Sequence, residues 1–387
     1  MLRPSEGFPL ALLAQPPAAR LAYFTTKVIA HPHLKAVHDA MMQAIQQPTG
    51  ATLLFVVGPT GVGKTTLRRR IEQQLIADCL PTQPDHPARI PVVGVEALAP
   101  ESGFFNWKDY YIRLLRALHE PLIGDKLDYG IRGMRQNSAG QLVIGPSVVV
   151  AELRSALEGC LRARQPAAVL IDEAQHLKKM TSGRRLLDQM DTLKSLASST
   201  QTLHILIGTY ELLGLTQLSG QLSRRSSELH FARYRFDDVD ERHMFGRVLY
   251  TFQQQLPLAE APDLVGQLEY IYERCVGCVG VLKTWLTQAL AAALADDAST
   301  LTRTLLDRWA IPLPSLMRMA REIADGEAML RDRADQAGNL RTVLGMDGTP
   351  APSSRIMTAS RGSKRPQQPV GRRTPSRDPV GEVTNGE

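Results

Sequence analysis

The chain has 387 residues, of which 43% are hydrophobic and 22% are charged, and its formal net charge is +6 at pH 7. This composition is typical of a soluble globular protein with room for two domains. No apolar run approaches the roughly 18 residues that a membrane-spanning helix needs. Four cysteines are too few for a disulfide framework at this length. The stretch "FPLALLA" is a poor signal peptide, since Glu6 precedes it and "QPPAAR" follows it. We therefore expect a cytoplasmic protein with no membrane partner.

The positive charge favours a polyanionic partner without identifying one. Much of the excess is expected in residues 345–387, which are rich in Pro, Gly, Ser and Arg and have few aliphatic residues to form a core. We predict that this segment is a disordered basic tail. Two interpretations stay open: a solvated tail, or a tether that touches nucleic acid or a partner protein.

Taken in chain order, residues 1–50 are predicted to be an N-terminal helical segment, because Leu34, Val37, Met41 and Ile45 recur at helical spacing. The next stretch, "ATLLFVVGPTGVGKTTLRRRIEQQLIADC", reads as a strand, a Gly-rich turn and a helix. That order of elements opens an α/β nucleotide-binding domain, which we assign to residues 51–236.

Further strand patterns occur at residues 90–97, 167–177, 203–209 and 228–236, separated mostly by helical patterns. Strands that alternate with helices predict a parallel sheet with helices on both faces. The Gly-rich stretch at about 121–146 interrupts the pattern and is predicted to be an insertion, with a hairpin as one possibility. Beyond residue 236 only helical patterns follow, so a small all-helical lid domain is predicted over residues 237–335.

A phosphate site is predicted at "GPTGVGKT", which fits the Walker A pattern and stands between a strand and a helix. Glycines allow backbone N–H groups to wrap a phosphate, and the positive end of the following helix points at the same anion. Lys64 is predicted to reach the β- and γ-phosphates of ATP, and Thr65 to bind Mg²⁺. The residues assigned to nucleotide binding here are Gly58, Pro59, Thr60, Gly61, Val62, Gly63, Lys64, Thr65 and Thr66.

An acidic pair, Asp172 and Glu173, ends the apolar strand pattern in "AAVLIDEAQHL" and fits a Walker B motif. Asp172 is predicted to hold Mg²⁺ and Glu173 to polarise the attacking water. The alternative is a surface acidic pair, which does not explain the four apolar residues before it. Thr209 ends the next strand pattern, where its hydroxyl either bonds the γ-phosphate or caps a helix.

The series "GPTGVGKT", "VLIDEAQHL", "LIGTYEL" and a helical domain that begins "DDVDERHMF" resembles the AAA+ ATPases. Within them, "DEAQHL", "QLPL" and "GCVGVLKTWL" resemble the TnsC/TniB group of transposition regulators, of which MuB is a more distant relative. The resemblance covers roughly residues 21–321, and only its last motif is specific to the group.

This resemblance implies a bacterial ATPase that assembles as rings or filaments around double-stranded DNA and connects a target-selection factor to a transposase. The selection factor is a CRISPR effector, a sequence-specific DNA-binding protein, or absent. The ATP site would then lie between subunits of a homo-oligomer, with an arginine from the neighbour as a catalytic residue. Arg225 is the slightly preferred candidate and Arg224 the other, and surface arginines are the alternative interpretation.

DNA contact is expected near the start of the helix in "ESGFFNWKDYYIRLLRAL", where Lys108 and Arg113 would neutralise backbone phosphates. The aromatic residues of this stretch, including Phe105 and Tyr110, are expected to pack rather than to stack on bases. Two functions compete with DNA-based regulation of transposition. One is a signalling or secretion-associated ATPase that acts on protein partners, and the other is a role like that of a replication initiator or clamp loader.

The motif "ERCVGCVGVLKTWL" has a C-x-x-C spacing but no further cysteine or histidine ligands at zinc-finger spacing. We predict a tight junction between two helices, in which Gly277 and Gly280 let the chain approach the nucleotide domain and Cys275 and Cys278 fill the contact. In AAA+ proteins this junction holds a basic residue that faces the γ-phosphate, and Lys283 is nearest to that position.

Overall fold

The computed structural model describes residues 7–47, 50–82, 87–99, 105–119, 134–136, 142–144, 150–178, 184–216, 226–344 and 346. The chain divides into two compact units, residues 1–332 and 333–387. In the second unit the described residues are the end of a helix and two turn residues. The predicted basic tail therefore lies outside the described residues except for Met346.

A parallel sheet forms the centre of the first unit. The strands are β1 Leu53–Val57, β2 Val92–Glu96, β3 Met134–Gln136, β4 Leu142–Ile144, β5 Ala168–Asp172, β6 Leu203–Gly208 and β7 Ser226–His230. Five of them form one sheet in the order β2-β5-β6-β1-β7, and every neighbouring pair is parallel. The predicted α/β fold with a parallel sheet is confirmed.

The described residues include twelve α-helices, four before residue 150, two between residues 150 and 212, and six beyond residue 212. They are α1 Pro17–Thr26, α2 Pro32–Gln46, α3 Lys64–Cys79, α4 Trp107–Ala117, α5 Val150–Arg164, α6 Arg184–Thr200, α7 Leu213–Thr216, α8 Val239–Gln255, α9 Leu268–Cys275, α10 Val279–Ala295, α11 Arg303–Trp309 and α12 Leu313–Val343. Short 3-10 turns follow the strands that end at Asp172 and Gly208, at Ala174–Leu177 and Tyr210–Leu212.

The sheet has an apolar layer on each face, as predicted. Alternate residues of β1 point to opposite faces, so Phe55 packs with residues of α4, α5 and α6 while Val56 packs with residues of α2 and α3. All five residues of β1 and of β5 are buried. Burial on both faces explains why these strands read as continuous apolar runs in the sequence.

The lid has its own core, built from α8, α9, α10 and α11. Phe24 of α1 belongs to this core, whereas Leu34 of α2 belongs to the core on the sheet. The N-terminal segment is thus two helices that pack on different bodies of the first unit.

In the described part of the chain no single helix is long and apolar enough to cross a membrane. Only α9 and α10 taken together reach that length and composition, and they are bent by 106°.

Some predicted bounds differ from the structure. The predicted strand 167–177 ends at Asp172, because a 3-10 turn begins two residues later. The predicted strand 228–236 is observed at Ser226–His230. After it the chain leaves the sheet for the lid, where Tyr234 N donates to Gly277 O at 3.0 Å. Within the predicted insertion, β3 and β4 form an antiparallel pair. The boundaries at 50/51, 236/237 and 335 stay predictions.

Candidate nucleotide-binding site

The phosphate loop connects the buried end of β1 to the first residue of α3. Gly61 and Gly63 have φ angles of +77° and +116°, a region that side chains with a Cβ rarely adopt. This backbone lets the chain turn sharply, so that α3 begins at Lys64 with its N-terminal N–H groups directed at the loop. The predicted loop geometry is therefore present, and it creates a site for an anion.

The ammonium group of Lys64 lies inside the loop. It is only 7% exposed, and Nζ donates to the carbonyl oxygens of Gly58 at 3.0 Å and Pro59 at 2.8 Å. Burial lowers the pKa of Lys64 to about 8, although the carboxylate of Glu173 acts in the opposite direction. A phosphate group in the loop would supply the counter-charge that this buried ammonium lacks.

Asp172 lies at the end of β5 and is 3% exposed. Its Oδ1 accepts a hydrogen bond from the backbone N–H of Glu173 at 3.0 Å, and its Oδ2 accepts one from Nε of Arg68 at 3.2 Å. Arg68 is one turn along α3 from Lys64 and was not predicted to belong to the site. No sequence motif marks it, because the two bonded residues are 104 positions apart.

The oxygen donors of Thr65 and Asp172 suit Mg²⁺, which is usually held by one or two carboxylates together with phosphate oxygens. Within the described ranges, no group of three or more His, Cys, Asp or Glu side chains is placed to hold a metal ion by itself. The donor set present therefore fits a metal that arrives with a nucleotide rather than one held in a dedicated cage.

Glu173 and Thr209 are connected through Gln175. Nε2 of Gln175 donates to Oε2 of Glu173, and Oε1 of Gln175 accepts from the backbone N–H of Thr209 at 3.2 Å. Glu173 has a φ of +52°, a strained value for a residue with a side chain. The hydroxyl of Thr209 is buried and has no hydrogen-bond partner among the described residues. The structure thus brings both predicted residues together, and Gln175 is the connecting residue that motif reading missed.

The lid contacts the phosphate loop directly. Val281 N donates to Gly61 O at 3.0 Å, and a Cβ added to Gly280 would lie 2.5 Å from the same oxygen. At Gly277, with φ +73°, an added Cβ would lie 2.2 Å from Tyr234 O. The prediction that the two glycines permit a close junction with the nucleotide domain is confirmed.

A cavity of about 480 Å³ adjoins the loop on the side of Thr209. Pro59 and Thr60 line one side of it, and residues of α12, including Glu322 and Asp325, line another. At Gly326 the backbone of α12 approaches the ring of Tyr210 so closely that a Cβ would lie 2.2 Å from the ring. Helix α12 therefore covers this side of the site.

Comparison with protein families agrees with this geometry, since residues 46–215 match the family model described as AAA domain. These residues form a AAA-type P-loop ATPase domain. No curated protein matches the sequence of the chain.

Among solved structures, the chain is similar to the ORC1 protein of Aeropyrum pernix in complex with DNA (18% identity, 76% of this chain, 68% of that chain, TM-score 0.48). It is also similar to Cdc6p of Pyrobaculum aerophilum (14%, 76%, 72%, 0.48). A third similar structure is domain III of the replication initiation protein DnaA of Thermotoga maritima (16%, 75%, 97%, 0.40). At these TM-scores the similarities say nothing about what this chain binds.

Lys283 is not where it was predicted. Its ammonium donates to the backbone oxygen of Phe24 and lies 3.6 Å from the centre of the Phe24 ring, so it contacts α1 rather than the phosphate loop of the AAA domain. The reason is helix geometry: Val281 faces Gly61, and a residue two positions later is rotated by about 200° around the helix axis. Burial lowers the pKa of Lys283 to about 8.

The two cysteines of the C-x-x-C motif are fully buried in the lid core, which confirms their predicted role in packing. Burial raises the pKa of the Cys278 thiol to about 12, and it raises that of Cys275 as well. Both groups are therefore neutral thiols at physiological pH, a state that neither binds metal nor attacks a disulfide readily.

The predicted DNA-contacting residues belong to the helix that follows β2. Lys108 and Arg113 lie on α4, where Nε of Arg113 donates to Oδ2 of Asp109 at 2.6 Å. Phe105 and Tyr110 are buried and contact each other and Trp107 through their rings, which confirms the packing prediction. Arg224 and Arg225 lie outside the described residues.

Proposed function

We propose that the protein is an ATP-driven switch in which nucleotide in the AAA domain sets the position of the helical lid. The observation that supports this most directly is the contact of Gly280 and Val281 with Gly61. A phosphate in the loop must fit beneath a lid that touches the same loop backbone. Binding, hydrolysis and release of ATP would therefore be coupled to movement of the lid.

In this proposal each side chain has one role. Lys64 neutralises the β- and γ-phosphates, Thr65 and Asp172 hold Mg²⁺, Glu173 takes a proton from the attacking water, and the Thr209 hydroxyl donates to the γ-phosphate or the water. A Mg²⁺ ion held by Thr65 and Asp172 would supply positive charge that offsets the charge of the phosphates. Two observations support these roles: the buried hydroxyl of Thr209 has no hydrogen-bond partner among the described residues, and Gln175 aligns the half-buried carboxylate of Glu173.

We further propose that the switch assembles as a homo-oligomer on double-stranded DNA and regulates transposition in a bacterial cytoplasm, linking a target-selection factor to a transposase. The support for this proposal is the resemblance of two motifs, "QLPL" and "GCVGVLKTWL", to those of the transposition regulators. Residues 255–258, "QLPL", and residues 277–286 form the lid core onto which α1 docks. Arg20 of α1 donates to Pro257 O, and Lys283 donates to Phe24 O. The net charge of +6 also favours a polyanionic partner.

Electron microscopy with duplex DNA tests the proposal. Full-length protein would be imaged with ATP, ADP and a slowly hydrolysed ATP analogue, and rings or filaments should form with ATP or the analogue and be lost with ADP. Lys64→Ala, which removes the phosphate counter-charge, should abolish assembly in every condition. If ATP produces no DNA-dependent assembly while nucleotide binding is intact, the transposition proposal fails and protein partners become the alternative.

A further inference from the structure

Arg68 connects the acidic residue of the site to a second carboxylate on its own helix. Its Nε donates to Oδ2 of Asp172 at 3.2 Å, and its Nη1 donates to Oε1 of Glu72 at 2.5 Å. The three side chains have exposed fractions of 18%, 4% and 22%, so water screens their interactions only partly. One guanidinium is thus shared between a candidate metal ligand and a nearby carboxylate that has no role in the proposed chemistry.

The sheet is shaped to accept this arrangement. Gly94 of β2 lies beneath the pair, and a Cβ built there would be 1.7 Å from Oε1 of Glu72 and 2.6 Å from Nη1 of Arg68. At the register of β2 with β5, Glu96 is paired with Asp172. A side chain at position 94 would therefore displace the guanidinium from its position next to the end of β5. This close fit indicates a defined position for Arg68 rather than a loose surface contact.

Both carboxylate oxygens of Asp172 accept hydrogen bonds. Oδ1 accepts from Glu173 N and Oδ2 from Arg68. A metal ion that uses this carboxylate, directly or through water, must compete with the guanidinium for Oδ2 and must also tolerate a positive charge beside it. If Arg68 releases Asp172, its guanidinium still has the carboxylate of Glu72 as a partner.

From these contacts we propose that Arg68 is a positioning residue that holds Asp172 through Oδ2 and lowers its affinity for Mg²⁺. Glu72 has the opposite effect, since it draws the guanidinium away from Asp172 and so favours the metal. The pair sets how strongly the site binds a divalent cation before and during nucleotide binding. This inference rests on the proposed role of Asp172 in holding Mg²⁺.

The two residues make opposite predictions, which a purely structural role would not produce. Arg68→Gln removes the competing charge, so affinity for the metal should rise about tenfold. Glu72→Gln leaves Asp172 as the only carboxylate bonded to Arg68, so the affinity should fall by a similar factor. Arg68→Lys keeps the charge and should restore most of the wild-type affinity. Arg69→Gln is a matched control, because Arg69 is the exposed neighbour on the same helix.

The measurement is titration of full-length protein with Mn²⁺, followed by the electron paramagnetic resonance of free Mn²⁺, in the presence of saturating ADP and again without nucleotide. Thermal unfolding of each variant checks that it is folded. Opposite shifts for Arg68→Gln and Glu72→Gln, with Arg69→Gln unchanged, support the proposal. Equal affinities for wild type and Arg68→Gln, or shifts of the same sign for both, overturn it.

Asp172→Asn separates this result from failure of the proposed site. If Asp172→Asn loses Mn²⁺ binding but Arg68→Gln matches wild type, only the role of Arg68 is wrong. If Asp172→Asn binds Mn²⁺ as well as wild type does, the assignment of Asp172 as a metal ligand fails, and the inference about Arg68 fails with it.

Discussion

Arg233 and Glu327 form a two-point ion pair, with Nε and Nη2 of the arginine 2.8 and 3.1 Å from the two carboxylate oxygens. Arg233 lies in the segment between β7 and the lid, and Glu327 lies on α12. The pair, together with the approach of Gly326 to Tyr210, holds α12 over the side of the site where Thr209 lies. The described structure thus places the last helix of the lid against Tyr210, the residue next to Thr209 in the chain.

We expect Arg233→Gln to destabilise the protein by about 2 kcal/mol, because the carboxylate of Glu327 would be left largely buried without its charged partner. Chemical denaturation of the full chain measures the change. The control is Lys35→Gln, which breaks the exposed pair of Lys35 with Asp39 and should change stability by less than about 0.5 kcal/mol. Equal effects of the two substitutions would show that the Arg233 pair adds no more than a surface pair.

Gly280→Ala should weaken ATP binding about tenfold, because the new Cβ would collide with Gly61 O and push the lid away from the phosphate loop. Titration with a fluorescent ATP analogue gives the affinity. Gly159→Ala serves as the control, since that glycine is also helical and has nothing within 4 Å of an added Cβ. Unchanged affinity in Gly280→Ala would mean that the lid contact does not matter for binding.

Lys64 should make ATP affinity depend on pH near 8. As pH rises through the pKa of about 8 the ammonium is lost, so affinity should fall, and Lys64→Ala should bind weakly at every pH.

The folding stability of the protein without nucleotide should show the opposite trend with pH. Between pH 8 and about 10.4 the unfolded chain binds more protons at Lys64 than the folded one, so folding stability rises by about 3 kcal/mol. ATP titrations and denaturation curves at several pH values test both signs.

Glu173→Gln should retain ATP and lower its hydrolysis by at least about 100-fold, because the amide cannot accept a proton from water. Phosphate release measures hydrolysis, and equilibrium binding of the ATP analogue measures retention. The exposed Glu260→Gln is the control and should hydrolyse ATP at the wild-type rate. Wild-type hydrolysis by Glu173→Gln would remove Glu173 from the catalytic role.

His31 should make the fold sensitive to acid. It is buried, its Nδ1 is 3.1 Å from the hydroxyl of Tyr234, and burial lowers its pKa from 6.5 to about 3. The unfolded chain gains a proton here below pH 6.5 while the folded one does not, so stability is complete above 6.5 and declines as pH falls. The expected loss at pH 4.5 is about 3 kcal/mol. Nδ1 of His31 also caps α2 by accepting from Leu34 N at 3.4 Å, and His31→Asn would replace it with a capping oxygen that does not titrate. This variant should flatten the acid side of the stability profile, which denaturation at stepped pH would reveal.

Local sequence was enough to predict the phosphate loop and the end of β5, because the residues that form each are adjacent and their spacing reflects one turn or one strand. It was not enough for Arg68 or Glu327, whose partners lie 104 and 94 positions away. Lys283 shows a different limit. This residue lies in the junction motif, two positions after Val281, and that rotation along the helix directs its side chain toward Phe24 instead of the phosphate loop. Spacing alone does not show which neighbour a helix face contacts.

The N-terminal segment has a mechanical consequence. Its helices pack on different bodies, α1 on the lid and α2 on the sheet, and the ring of His33 stacks on that of Tyr234 at 4.2 Å, in the other connection between the same bodies. Because this ring contact fixes the two connections side by side, the lid would rotate relative to the sheet about one axis only. A single linker would allow rotation about several axes. Phe8 N also donates to Gln254 O at the end of α8. If ATP causes the lid to rotate, residues 8–26 would therefore move with it. The position of this segment would then report which nucleotide is bound.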